Sequence, residues 1–215
     1  MTSALEFDAV TYAYPTGPEF GPYTHVLEWG TSCALVGRSG TGKSTILALA
    51  ALVLEPRDGR VVLSGKDLSR ASVRDRDLWR GQWARIIWQD AGLIPYLTAW
   101  ENVAAQFGPP RERHRPASIE ALEAVGMARF ADEPPERLSG GQRQRVGVAR
   151  GLVGEPGVLL ADEPTANLDA ASAILVAEAI TAVTLRGGAA LIATHDPELS
   201  QTAHATWRLE AEVLG

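Results

Sequence analysis

A glycine-rich segment, Gly37-Arg-Ser-Gly-Thr-Gly-Lys-Ser-Thr45, follows an apolar run and precedes residues that favour a helix. It matches the pattern G-x-x-x-x-G-K-S/T in the strand-to-helix context that this pattern requires. The glycines let several backbone N–H groups point into one concavity, and the following helix adds the positive end of its dipole. Phosphate is the anion that suits such a loop, with Lys43 able to reach the β and γ phosphates and the Ser44 hydroxyl able to ligate Mg²⁺.

Two adjacent carboxylates, Asp162 and Glu163, end the apolar run Val158-Leu-Leu-Ala161. Neighbouring residues of a strand point to opposite sides, so the two acids are expected to have different tasks. One can face the coordination shell of Mg²⁺ and the other a water molecule in line with the γ phosphate. The alternative is a strand that simply ends in solvated acids, and the nearby phosphate loop favours the functional interpretation.

A second polar helix start lies at Leu138-Ser-Gly-Gly-Gln142. The helical stretch that follows it has an apolar stripe of Val146, Ala149 and Val153. Ser139, Gly140 and Gly141 suit an anion by the same dipole and N–H argument. The alternative is an ordinary N-cap serine with flexible glycines behind it. Two phosphate sites in one chain would be unusual, and the segment alone does not explain them.

This combination resembles the ATP-binding cassette (ABC) ATPase family, and the likeness covers nearly the whole chain. The family's motifs stand in order: the phosphate loop at 37–45, a Gln loop at Gln89, the signature at 138–142, the acidic strand end, a D-loop at Asn167-Leu-Asp169 and a switch histidine, His195. The sequences of segments 94–103 and 160–169 resemble those of the lipoprotein-release, macrolide-export and cell-division group. Residues 15–30 match the family pattern poorly, and Ala166 stands where glycine or serine is more usual.

The resemblance implies ATP and Mg²⁺ as ligands and gives a role to each matching residue. The phosphates would be bound by Gly37, Arg38, Ser39, Gly40, Thr41, Gly42, Lys43, Ser44 and Thr45. The aromatic residue that stacks on adenine should be Tyr14, with Tyr12 on the same strand face as the second candidate. Mg²⁺ would be held by Ser44 and Gln89, with Asp162 acting through water.

The resemblance also implies a catalytic set of Glu163, His195, Gln89 and Lys43. Glu163 would be the general base that takes a proton from the attacking water, and His195 would contact the γ phosphate. In this family two cassettes close head to tail around two ATP molecules.

The nucleotide bound to a second copy would then be touched by the signature residues Ser139, Gly140, Gly141 and Gln142. Asp169 would lie in the contact between the two copies. The expectation of a head-to-tail pair explains why one chain carries two phosphate sites, since each copy would supply half of each ATP site.

The chain has 215 residues and a net charge of −6. A chain of this size buries roughly 70% of its unfolded surface and needs no disulfide or structural metal. The single cysteine, Cys33, lies in the apolar run 32–36, which predicts a buried thiol. The net negative charge argues against nucleic acid as a partner, because the phosphates of nucleic acids attract basic surfaces.

The longest apolar stretch, 46–54, is about half of the ~20 residues that a membrane-spanning helix requires. The first residues lack the basic end and apolar core of a signal peptide, which favours a cytoplasmic location. By resemblance, the chain would lie peripherally on the inner face of the cell membrane, held there by membrane subunits.

Local patterns predict the elements that position these motifs. The predicted strands are 6–14, 24–29, 32–36, 60–64, 158–161 and 189–193, and the predicted helices are 42–54, 118–125 and 171–184. This order predicts an α/β fold with a mainly parallel sheet. The resemblance refines it to a P-loop NTPase core with an N-terminal antiparallel β part and an inserted helical subdomain. One ABC ATPase domain would cover 1–215, with the core at about 1–90 and 150–215 and the helical signature subdomain at about 91–149.

The leading functional interpretation is an energy-coupling subunit, in which ATP binding closes a dimer and hydrolysis reopens it. The motion would drive separate transmembrane permease subunits. A non-transport ABC ATPase with a mechanical or scaffolding role at the membrane is the alternative. A DNA-repair relative would need a long coiled-coil insertion, for which the interval from Gln89 to Leu138 is too short.

Aromatic and aliphatic residues lie close to Gln89 in the sequence. The tryptophans of this region are Trp79, Trp83, Trp88 and Trp100. Core packing is the default expectation for most of them. In the family, the surface beside the Gln loop receives a helix of the membrane subunit, so Leu93, Tyr96 and Leu97 are candidates for that docking cleft.

Overall fold

Two β-sheets form the framework of the chain, in a computed structural model that describes residues 3–17 and 19–209. The strands of the first sheet are β1 (Leu5–Ala13), β2 (Glu19–Leu27), β4 (Asp58–Leu63) and β5 (Lys66–Asp67). The strands of the second sheet are β3 (Ser32–Val36), β6 (Ala84–Ile87), β7 (Val158–Asp162), β8 (Ala189–Ala193) and β9 (Ala205–Arg208). The first sheet is antiparallel in the order β2-β1-β4-β5, and the second is parallel in the order β6-β7-β8-β3-β9.

Helices cover both faces of the parallel sheet. They are α1 (Lys43–Ala50), α2 (Val73–Trp83), α3 (Ala99–Ala104), α4 (Arg115–Ala124), α5 (Gly140–Leu152), α6 (Ala170–Leu185) and α7 (Pro197–Thr202). Helix α1 follows β3 directly, and α3, α4 and α5 lie between β6 and β7 along the chain. This order brings the glycine-rich loop before α1 and the acidic end of β7 to the same edge of the sheet.

The buried side chains form two clusters, one on each face of the parallel sheet. Leu160 of β7 packs with Ile46 of α1 and Phe7 of β1, so α1 lies between the two sheets. Its neighbour Leu159 packs on the opposite face with Val146 of α5. Successive strand residues point to opposite faces, and a strand buried on both faces reads as a continuous apolar run.

The predicted fold class is confirmed: the sheet at the core is parallel, the N-terminal sheet is antiparallel, and helices are inserted between β6 and β7. The predicted strands 32–36 and 189–193 coincide with β3 and β8. The helix predicted at 42–54 ends earlier, at Ala50, and Leu52 has a φ of 58° that a continuing helix would not allow. The subdomain boundaries at about 91 and 149 stay a prediction, and α5 runs across the second of them.

Candidate active site

The phosphate loop connects β3 to α1, and Gly42 is the N-cap of that helix. Gly40 and Gly42 have φ values of 82° and 91°, which strain any residue with a side chain. A Cβ atom at Gly42 would also come within 2.8 Å of the Tyr23 hydroxyl and 2.9 Å of the Phe20 ring. Both conformation and space therefore require glycine here, and β2 packs closely against the loop.

Lys43 curls back over the phosphate loop and is only 8% exposed. Its Nζ donates hydrogen bonds to the carbonyl oxygens of Gly37, at 2.8 Å, and Arg38, at 3.2 Å. The same Nζ lies 3.0 Å from Nε2 of His195, which follows β8. Lys43 and His195, which are 152 positions apart in the sequence, therefore meet at one end of the loop.

The acidic pair lies where β7 ends. Asp162 is 6% exposed, and Glu163 follows it with a φ of 48°. Glu163 Oε2 accepts a hydrogen bond from the backbone N–H of His195 at 3.1 Å. Glu163 Oε1 is buried without a hydrogen-bond partner among residues 3–17 and 19–209, and lies 3.6 Å from His195 Nε2.

These side chains line one cavity of about 560 Å³. Its lining consists of Phe20, Ser39, Gly40, Gly42, Lys43, Ser44, Thr45, Gln89, Asp162, Glu163, Ala166 and His195. Asp162 and Glu163 share the cavity, and the different tasks expected of the two acids stay a prediction. Strand alternation stops at Asp162, and the positive φ of Glu163 turns the chain there.

Three oxygen-bearing side chains in the cavity fit a Mg²⁺ ion. Ser44 lies at the start of α1, Gln89 follows β6, and Asp162 ends β7. Hydroxyl, amide and carboxylate oxygens are the ligands that this hard cation prefers, together with water and substrate phosphates. The predicted metal set therefore comes from three separate elements that meet at one place.

The signature residues begin α5 away from this cavity. Ser139 is the N-cap, with its Oγ accepting from the N–H of Gln142 at 3.3 Å and its own N–H donating to Gln142 Oε1 at 2.7 Å. Ser139 and Gly140 are exposed. The N-cap that sequence analysis held as the alternative is therefore present, whereas a role in binding an anion stays a prediction.

The D-loop packs beside the signature. A Cβ atom at Gly141 would lie 3.4 Å from the carbonyl oxygen of Asn167 and 3.3 Å from Leu168 Cδ2. Asp169 is the N-cap of α6 and accepts from the N–H of Ser172 at 2.8 Å. Hydrogen bonds from the backbone and side chain of Ser172 hold the pKa of Asp169 below its usual range. Neither the signature residues nor the D-loop residues line the cavity of their own chain.

Two aromatic residues stand at the other end of the phosphate loop. Tyr14 is 42% exposed, and its hydroxyl lies 3.2 Å from Thr45 Oγ1. Tyr12 packs edge-on against Tyr14 at 4.9 Å and is half-buried against the core. Phe20, which sequence analysis missed, lines the cavity. Phe20 pairs with Tyr12 across the β1–β2 hairpin, and no local sequence pattern marks this register.

The residues near Gln89 in the sequence separate in space. Trp83 packs against both Trp79 and Trp29, and all three rings pack on the first core cluster, which confirms the core packing expected for Trp79 and Trp83. Leu97 is 6% exposed, so its proposed place in a docking cleft is wrong. Tyr96 is 83% exposed and remains available on this surface.

The sequence model of a known family, described as "ABC transporter", matches residues 23–166, which is more than half of the chain. The chain belongs to the ABC transporter family. It is an ATP-binding domain of that family, as the order of its motifs indicates. No helix of this ABC cassette within 3–17 and 19–209 is both long enough and apolar enough to cross a membrane.

Relatives of this ABC cassette carry similar descriptions. The lipoprotein-releasing system ATP-binding protein LolD of Aquifex aeolicus is 34% identical over 190 residues, covering 86% of this chain and 85% of the relative. The ABC transporter ATP-binding protein YtrE of Bacillus subtilis is 37% identical over 190 residues, covering 86% and 82%. The expected likeness to the lipoprotein-release group is therefore confirmed.

A solved structure extends the likeness to the whole fold. The ATP-binding cassette MJ0796, in a dimeric post-hydrolysis state bound to ADP and Pi, superposes with a TM-score of 0.90. It is 27% identical, and the alignment covers 96% of this chain and 94% of that one. Nucleotide binding is thus a property of the family to which this ABC cassette belongs.

Proposed function

We propose that this cassette binds and hydrolyses Mg²⁺-ATP and energises transport through separate membrane-spanning subunits at the inner face of the cell membrane. The observation that carries this proposal is the cavity of about 560 Å³ that joins the phosphate loop to Glu163 and His195. Acid, histidine, lysine and backbone amides at one place match the requirements of phosphoryl transfer, which depends on positioning and charge stabilisation.

The phosphate loop would hold the triphosphate through its backbone N–H groups, with Lys43 contacting the β and γ phosphates. Burial of the Lys43 side chain limits the positions that its ammonium group can take. Mg²⁺ would be held by Ser44 and Gln89 directly and by Asp162 through water. When bound, the ion neutralises charge that develops on the phosphate oxygens.

Glu163 would be the general base. Its Oε2 is held by the backbone N–H of His195, whereas Oε1 is buried and has no partner among the described residues. Oε1 would take a proton from water as the water oxygen attacks the γ phosphorus. The bond to the bridging oxygen then breaks, which gives ADP and phosphate. The same hydrogen bond holds the backbone of His195 at the cavity, where its side chain would contact the γ phosphate.

A second copy would complete each site. The signature residues Ser139, Gly140, Gly141 and Gln142 and the D-loop residue Asp169 lie outside the cavity of their own chain. Ser139 and Asp169 are exposed and stand on neighbouring segments. The dimeric state of MJ0796 with ADP and Pi supports a pair in which these residues approach the nucleotide of the partner.

The membrane-spanning subunits would dock near the Gln loop. Tyr96 is 83% exposed and Trp88 is 37% exposed there, and Leu93 is half-buried beside them. The names of the relatives, among them a lipoprotein-releasing system, support a partner of this kind. This surface is next to Gln89 in the sequence, so a membrane subunit docked here would contact the segment that carries one of the proposed metal ligands.

The substitution Glu163→Gln tests the proposed base. We expect ATP turnover to fall by about 10²-fold or more, because the proton acceptor is lost, while ATP binding is retained. The bound ATP should trap a dimer that size-exclusion chromatography detects only when ATP is present.

Glu112→Gln is the matched control, because Glu112 is exposed and does not line the cavity. It should hydrolyse ATP like the unmodified chain. Hydrolysis at a normal rate by Glu163→Gln would remove Glu163 as the base.

A further inference from the structure

The β1–β2 hairpin brings two aromatic rings together beside the phosphate loop. Tyr14 follows the last residue of β1, and Phe20 is the second residue of β2. Their ring centroids lie 6.1 Å apart and their planes meet at 87°. We name this pair the aromatic corner.

The aromatic corner lies at the end of the phosphate loop opposite to Glu163 and His195. Lys43 and Thr45 are two residues apart at the start of α1, so their side chains point about 200° apart around the helix axis. Lys43 Nζ reaches His195 at 3.0 Å, and Thr45 Oγ1 reaches the Tyr14 hydroxyl at 3.2 Å. A triphosphate with its γ phosphate beside His195 would therefore direct its nucleoside end toward the aromatic corner.

Phe20 gives an aromatic wall to a cavity whose lining is mainly polar side chains and glycine backbone. It is half-buried and packs so close to the loop that a Cβ at Gly42 would come within 2.9 Å of its Cδ1. A phenyl ring offers nothing to a phosphate, whereas the flat faces and edges of a nucleobase pack well against aromatic rings. The chemistry of Phe20 therefore points to the base and not to the phosphates.

We infer that Phe20 is a second base-contacting residue, which closes the side of the nucleobase that Tyr14 leaves open. This inference rests on the proposed ATP binding. A base stacked flat on Tyr14 lies at right angles to the Phe20 ring, in the edge-to-face arrangement that aromatic pairs favour. Phe20 thus sets affinity for the nucleoside part of ATP and leaves phosphate binding to the loop.

The test compares ATP with tripolyphosphate, which has the phosphates but no base, using calorimetric titration with Mg²⁺ present. We expect Phe20→Ala to raise the Kd for ATP by about ten-fold and to leave the Kd for tripolyphosphate unchanged. Phe20→Tyr should restore ATP affinity, because the ring is retained. Val26→Ala is the matched control, an exposed apolar truncation on the same strand.

Three outcomes would overturn the inference. Unchanged ATP affinity in Phe20→Ala would show that the ring does not touch the base. An equal loss for both ligands, seen also in Phe20→Leu with the circular dichroism spectrum preserved, would make Phe20 a support of the phosphate loop only. Failure of the unmodified chain to bind either ligand would overturn the proposed function and this inference with it.

Discussion

Cys33 is the single cysteine of the chain and lies on β3, between β8 and β9 in the parallel sheet. It is 1% exposed, which confirms the buried thiol that its apolar surroundings predict. Burial raises the pKa of this thiol to about 11, more than a backbone hydrogen bond at Trp207 lowers it. Since the thiolate is the reactive form, only about one folded molecule in a thousand carries it at pH 8.

We expect Cys33 to resist Ellman's reagent in the folded protein at pH 8 and to react fully after unfolding in guanidinium chloride. The coloured product, measured at equal protein concentrations, reports the unfolded fraction, and Cys33→Ser provides the blank. Rapid stoichiometric reaction in native buffer would contradict this. The raised pKa has a defined sign for stability: its contribution is complete below about pH 8.5 and is lost as the pH rises toward 11.

Single residues could be placed from the sequence where a contiguous motif fixes them. Lys43 and Ser44 take their positions from the strand, loop and helix that surround them, and these are local. Phe20 could not be placed, because its position depends on pairing with Tyr12 across a hairpin whose sequence has no regular alternation.

Helix α5 begins at the signature and packs against β6, the strand that precedes Gln89. Glycine residues of α5 make this close approach possible. A Cβ atom at Gly151 would lie 2.5 Å from Ile87 Cγ1, on β6. A Cβ atom at Gly147 would lie 3.0 Å from the Cβ of Ala91, just beyond Gln89. The helix that presents Ser139 at its start is therefore packed directly on the segment that supplies a metal ligand.

Gly151→Ala should lower the free energy of unfolding by about 1–2 kcal/mol, measured by guanidinium denaturation. The added methyl group overlaps Ile87, which is buried and β-branched and cannot rotate away, and overpacking of this kind costs about 1–3 kcal/mol. The better helix propensity of alanine offsets up to about 1 kcal/mol of that. Gly140→Ala is the control in the same helix, because a Cβ there meets nothing within 4 Å.

Equal free energies of unfolding for Gly151→Ala and Gly140→Ala would contradict this prediction, because they would show that α5 and β6 accommodate the added methyl group without overpacking.

Elements with a clear apolar pattern could be predicted, and elements without one could not. The buried runs of β3 and β8 define their own ends. Helix α2 was missed because Arg76 is the one buried residue along 73–83, all of which the structure describes. Strand β9 was missed because it lies at the sheet edge with mostly exposed side chains, where no periodicity marks a strand.

At the scale of the whole molecule, we propose that the chain carries two incomplete halves of a nucleotide site. One half is the cavity with Lys43 and Glu163, and the other is the exposed start of α5 with Ser139, beside the D-loop. A two-fold dimer places the same two surfaces against each other twice, so it would form two equal composite sites. In such a dimer each site takes Lys43 from one copy and Ser139 from the other.

Mixing two inactive variants tests this arrangement. Lys43→Ala should be inactive because both sites lose a phosphate contact, and Ser139→Arg should be inactive because both sites receive a bulky cation at the signature. In a heterodimer of the two, both substitutions fall in one site and the other site is intact. Random pairing makes half of the dimers mixed, so we expect about a quarter of normal ATPase activity if the sites act independently.

A mixture of Lys43→Ala with Glu163→Gln is the matched control. Both residues lie in the same half of the site, so each site of that heterodimer would carry one defect and activity should stay absent. Recovery in the first mixture but not in the second is the result that a composite site requires. A site formed within one chain would give no recovery in either mixture, since every chain would carry its own defect into its own site.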